Sequence, residues 1–190
     1  MKKPKISRRR FVGTTALGMG SLAAAFPSRL LGSDSFPMVP TLKNVWEQAK
    51  AYTMEFAEAM PEEEYGFKPT EEVFSFAEQL LHLAGGNYWF FATIKGEKSP
   101  QPEDAFKPEG KTKSDVIKIV GESFAFGDGV VSGMTEDALQ KEVAWGKNKL
   151  GMWKILLFCV DHITHHRGQM VVYLRLKGIT PPQYRSGFFG

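Results

Sequence analysis

The chain is 190 residues long, 43% hydrophobic and 24% charged, with a formal net charge of +3 and a single cysteine. Six of its cations (Lys2, Lys3, Lys5, Arg8, Arg9 and Arg10) lie in the first 25 residues with no acid among them, so the remainder carries −3. A mildly acidic remainder without a basic stretch gives no electrostatic case for nucleic acid, and a lone Cys159 excludes an intramolecular disulfide.

Residues 1–25 combine a basic start, a weakly apolar run from Gly13 to Leu22 and a small-residue stretch, Ala23-Ala24-Ala25. These are the parts of an export signal, and Ser7-Arg8-Arg9-Arg10-Phe11-Val12 gives it the twin-arginine form used for folded cargo. The apolar run is too short and glycine-rich to span a bilayer comfortably. Cleavage after Ala25 would leave residues 26–40 as a linker and residues 41–190 as one domain, delivered to the periplasm or cell envelope with no stable membrane span.

The first helix is expected from Thr41 to Met60, with Leu42, Trp46, Ala49, Tyr52, Phe56 and Ala59 at helical spacing, Thr41 as N-cap and Met60-Pro61 as the stop. A second runs from Ser75 to Lys95, apolar on most of its circumference and closed by Gly96. Residues 99–108, rich in proline, read as an inter-helix connection. A third helix begins near Ser114 as N-cap and continues to Val131, with Gly121, Gly127 and Gly129 weakening it. Residues 142–151 read as an extended loop or small hairpin. The last helix occupies residues 152–177, free of proline. Four long helical segments with a long connection make the class all-α, a four-helix bundle.

All four histidines fall in two places, His82 and the run Asp161-His162-Ile163-Thr164-His165-His166-Arg167-Gly168-Gln169. At roughly 100° per residue, His162 and His166 lie about 40° apart on one helix face. Ile155, Cys159, Met170 and Tyr173 share or border that face, so both imidazoles turn inward. Burying two unpaired imidazoles is costly, whereas neutral imidazole is the commonest protein ligand for transition metals. His165 falls at the edge of the face. The glutamate of the His-Glu-x-x-His signature is missing, which excludes that kind of metalloprotease. Cys159 reads as a buried small hydrophobe and Arg167 as one half of a structural ion pair.

His82 falls with Ser75, Glu78 and Gln79 on the polar strip of the second helix. Two readings stay open for such a strip: it faces water, or it lines an internal polar cavity, with Gly85 and Gly86 allowing another backbone to approach. Glu78, one turn before His82, is read as a solvated glutamate, with a base or ligand-orienting role as the alternative. Tyr173 is either a core aromatic or a donor to substrate.

Leu80-Leu81-His82-Leu83-Ala84, the Asp161–Gln169 run and the following Tyr173-Leu174-Arg175-x-x-Gly178-Ile179-x-Pro181-Pro182 together resemble the DinB-like (YfiT-like) metalloprotein superfamily. The stretch from Ala59 to Pro69 is similar to that family's connection between helices one and two. The resemblance covers nearly all of the chain after residue 40. It implies a bundle holding one divalent metal ion (Zn, Ni, Mn or Fe) through His82, His162 and His166, with open positions for water or substrate. It implies no nucleic-acid partner.

Three imidazoles with an open position fit a catalytic site better than a structural one. With the resemblance, some of whose members are thiol-dependent transferases, this implies a metal-dependent small-molecule hydrolase or thiol transferase, hydrolysis being favoured because export would separate the protein from cytoplasmic thiols. The alternative is a non-catalytic metal-binding protein of the envelope. The sequence assigns no general acid or base, and it leaves homodimerisation open.

Overall fold

The structure, a computed structural model, describes residues 37–186; the segment read above as a twin-arginine signal and most of the expected linker lie outside them. Helix α1 spans Met38–Ala59 and α2 spans Phe76–Lys95, joined through a 3₁₀ turn at Glu62–Glu64. A second 3₁₀ turn, Glu103–Phe106, precedes α3 at Lys113–Val131. A short α4 (Glu136–Gln140) and a hairpin of β1 (Glu142–Trp145) and β2 (Asn148–Gly151) lead into α5, Met152–Leu176. The hairpin is antiparallel, with Glu142 opposite Gly151 and Trp145 opposite Asn148. Among the described residues no helix is long and apolar enough to cross a membrane.

The four long helices form the expected bundle: α2 packs on α3 and α5, and α1 packs on the same two from the other side. Their buried faces supply Phe56, Phe91, Phe124, Leu80, Leu83, Ile155, Ile163 and Met170, all at most 2% exposed. Fully burying an apolar side chain of this size contributes about 1.5–3 kcal/mol, so the shared core holds the helices together. Trp46 of α1 packs its ring on Phe91 of α2 and Phe124 of α3, at centroid distances of 4.8 and 5.0 Å. Gly127 makes this junction possible, because a Cβ there would lie 2.5 Å from Trp46 Cζ2 and 2.6 Å from Phe91 Cε2.

The helix starts differ from the sequence expectation in instructive ways. Helix α1 begins at Met38, after Pro37 and without a side-chain cap, so Thr41 is not its N-cap. For α3 the cap is Thr112, which closes a capping box with Asp115, and Ser114 sits inside the helix. Despite its glycines, α3 runs unbroken to Val131 because Val116, Val120, Phe124 and Gly127 face the core. Ser75 does cap α2, reciprocally with Glu78, and Gly96 ends it with φ of 70°. Residues 142–151 form the hairpin alternative. The five-residue α4 was not foreseen.

Candidate metal centre

Helix phase on α5 brings His162 and His166 to the side that faces α2, where His82 stands at the solvent edge. One ring nitrogen from each of the three lies within 4.8 Å of the others. The Nε2 atoms of His82 and His162 are 3.2 Å apart. Two imidazole nitrogens bound to one ion at ~2.0–2.1 Å would stand about 3 to 3.4 Å apart, so the spacing fits a shared ion. It also fits an N–H···N hydrogen bond, by which the metal-free pair can share a proton.

The ring of His166 is oriented by a chain of hydrogen bonds that also sets its tautomer. Tyr173 donates its hydroxyl proton to the Phe74 carbonyl at 2.6 Å, so its oxygen accepts from Gln79 Nε2 at 3.2 Å. Gln79 Nε2 also donates to Gln169 Oε1 at 2.8 Å. This turns Gln79 Oε1 toward His166, whose Nδ1–H donates to it across 2.6 Å. The proton therefore resides on Nδ1, and the Nε2 lone pair is left for ligation, the usual way a partner behind a histidine fixes the ligating nitrogen.

His162 is held by packing instead. Its Nδ1 is buried without a hydrogen-bond partner, against α2 at Gly86, where an added Cβ would lie 2.5 Å from Cε1 and 2.9 Å from Nδ1. The neighbouring Gly85 gives similar room to Phe106, whose ring would be 3.2 Å from a Cβ there. One glycine thus seats a histidine of the site and the next seats part of a wall beside it.

Burial keeps the cluster uncharged. Desolvation, reinforced by the His82 and His165 rings, lowers His162 to about 4. Desolvation first, then His162, His82 and His165, lowers His166 to about 3. His82 also falls below the ordinary imidazole range, from desolvation and then His165. Neutral imidazoles are the form that binds a metal.

The other residues singled out from the sequence find clear places. His165 is exposed and accepts from Gln169 Nε2 at 2.9 Å, outside the cluster. Glu78, part exposed, caps α2 and pairs with Lys68 at 3.1 Å. Cys159 is buried, 3.7 Å from Asn87 Oδ1, and burial raises its thiol pKa, as expected for a packing residue. Tyr173 is a buried positioning group. Arg167 departs from the expected ion pair: its guanidinium donates to the Ala49 carbonyl at 3.0 Å and Thr164 Oγ1 at 3.3 Å, and lies 4.8 Å from the Tyr52 ring centroid. Among the described residues it pairs with no carboxylate.

Gln79 and Gln169 were missed as site residues, although Gln79 sits one turn before His82 on the same strip. Beside the cluster opens a cleft of 570 Å³, lined by His82 and His162 and by Trp89, Phe90, Phe106 and Phe158, with Glu103 at its rim. A cleft of this size suits a small-molecule ligand. The arrangement could hold a metal ion against a space open to substrate.

Comparison with known proteins agrees with this architecture. The YjoA protein of Bacillus subtilis (strain 168) is 28% identical over 133 residues, which cover 67% of this chain and 83% of YjoA. The crystal structure of the DinB-like YjoA protein from Bacillus subtilis aligns with a TM-score of 0.62 and 25% identity, covering 76% of this chain and 98% of that one. A DinB-like protein from Bacillus cereus ATCC 10987, 18% identical, shares the fold with a TM-score of 0.63 over 74% of this chain and 93% of its own. The DinB family profile matches residues 34–189, and the chain belongs to that family.

Proposed function

We propose that the protein binds one divalent transition-metal ion through His82, His162 and His166 and acts on a small molecule held in the adjoining cleft. The observation that carries this reading is the convergence of three neutral imidazoles, one with its tautomer fixed by Gln79, at the edge of a 570 Å³ cavity. A bound zinc, nickel, manganese or iron ion would supply Lewis acidity there, lowering the pKa of a water or thiol. The chain's own part is to hold three nitrogens in ligating form, to pack His162 against Gly86 and Phe90, and to leave the cleft side open.

Reading Ser7–Val12 as a twin-arginine-type export segment supports hydrolysis over thiol transfer, because a protein exported to the periplasm or envelope would act away from cytoplasmic thiols. A chromogenic panel of esters, amides and thiol adducts tests the reaction with metal-loaded protein. Turnover that a chelator abolishes and added metal restores is the expected outcome. A bound metal with no turnover across the panel favours the second reading, a non-catalytic metal-binding protein. That reading draws on Glu103 being the sole carboxylate lining the cleft among the described residues.

A further inference from the structure

The cleft has an uneven chemistry. Four of its lining residues are aromatic, from three separate elements: Trp89 and Phe90 on α2, Phe158 on α5 and Phe106 on the 3₁₀ turn. Trp89 and Phe158 are each 49% exposed. They are nonetheless held in place, since Trp145 of the hairpin packs on Trp89 at 4.8 Å and on Phe158 at 5.8 Å, and Phe90 packs on Phe158 at 5.2 Å. The wall is thus a braced apolar surface left open on the side of the histidines.

Its charge is equally one-sided. Among the described residues, Glu103 is the sole carboxylate lining the cleft and makes no ion pair, and no lysine or arginine lines it. Five aromatic rings elsewhere in the chain are covered by its own cations: Lys95 lies over Phe126, Lys113 over Tyr65, Lys154 over Trp153, Arg167 over Tyr52 and Lys177 over Phe67. Among the described residues none lies over the four cleft rings. Aromatic faces and a carboxylate both attract cations, and both repel anions.

We propose that the cleft takes a small organic cation, an amine or quaternary ammonium with an apolar or aromatic body. The body lies against Trp89, Phe90, Phe106 and Phe158, and the positive nitrogen is matched by Glu103 and the ring faces. The ligand's remaining polar end then lies toward His82 and His162. This last orientation rests on the proposed metal site; the charge preference is a property of the metal-free cleft, which a bound ion's own positive charge opposes.

The test uses the full chain, metal-loaded and metal-free, with benzyltrimethylammonium, phenylacetate and benzyl alcohol as probes, followed by tryptophan fluorescence and calorimetry. In the metal-free protein the cation is expected to bind most tightly and phenylacetate least, and a bound metal ion should shift the balance toward phenylacetate. Glu103→Gln, on an exposed turn, should weaken the cation roughly 3- to 10-fold and leave benzyl alcohol unchanged. Trp89→Ala should weaken the cation and benzyl alcohol alike. Equal or tighter binding of phenylacetate by the metal-free protein, or a metal-free Glu103→Gln variant with the parent's charge preference, would overturn the proposal. Metal content measured on the same samples separates the two readings. Cation preference in a protein that takes up no metal removes the metal site and keeps the cleft assignment, and a protein that takes up metal yet shows no cation preference when metal-free does the reverse.

Discussion

Replacing Gly86 by alanine should empty the site while sparing the fold. The added methyl carbon would stand 2.5 Å from His162 Cε1, where ordinary contact begins at 3.4 Å. The imidazole must therefore retreat or rotate by about 0.9 Å, well beyond the ±0.2 Å within which metal–ligand distances are held. For the helix itself the change is favourable by about 1 kcal/mol, because alanine is a better helix former than glycine. Overpacking against one movable ring costs about 1–3 kcal/mol, so the net change in stability is small. Metal affinity should fall by roughly 10- to 100-fold or more, at least the loss seen when a group that orients a ligand is removed. Competition with a chromogenic zinc chelator measures this, and a thermal melt of the metal-free protein measures the fold. Gly85→Ala is the matched control, since the three nearest atoms to its Cβ all belong to Phe106, from 3.2 Å. A Gly86→Ala protein that binds zinc within about twofold of the parent would refute the idea that His162 is seated by this glycine and needed for the ion.

Gly127→Ala should show the opposite pattern. Its Cβ meets Trp46 and Phe91 in the core at 2.5 and 2.6 Å, so the melt should drop by the equivalent of about 1–3 kcal/mol with zinc affinity intact. Gln79→Leu removes the acceptor behind His166 and strands the Tyr173 and Gln169 partners; zinc affinity should fall roughly 10- to 100-fold, and nitrogen NMR should show His166 no longer held as the Nδ1–H tautomer. For the metal-free protein, the histidine pKa values are lowered in the fold, to about 4 for His162 and about 3 for His166. The unfolded chain, with imidazoles near ~6.5, therefore binds more protons below that pH. The histidine contribution to stability should be complete above pH ~6.5 and fade as the pH falls toward 4. Urea melts from pH 8 to 4 read this, and a His162→Ala, His166→Ala double variant should flatten the profile.

Helix phase made α5 legible because one period governed both packing and chemistry. The face carrying His162 and His166 also carries Ile155, Cys159, Met170 and Tyr173, and all of these but His162 are buried. The period could not decide His82, because a polar strip facing a cleft and one facing water have the same pattern. Gln79 was hidden for the same reason: it is 1% exposed, yet its partners lie on α5, 87 to 94 residues away. Arg167 misled in another way, since its guanidinium is met by a carbonyl of α1 and a tyrosine ring, neither of which marks a charge partner in sequence. The cleft's aromatic wall draws on α2, α5 and a 3₁₀ turn, so no single window contains it.

The most direct test is metal content per chain of protein lacking residues 1–25, measured beside His82→Ala, His162→Ala and His165→Ala. One equivalent in the parent and in His165→Ala, with loss in the other two, is the predicted result. A parent that takes up no zinc, nickel, manganese or iron, or a His165→Ala variant that loses the ion while His82→Ala keeps it, would contradict the account.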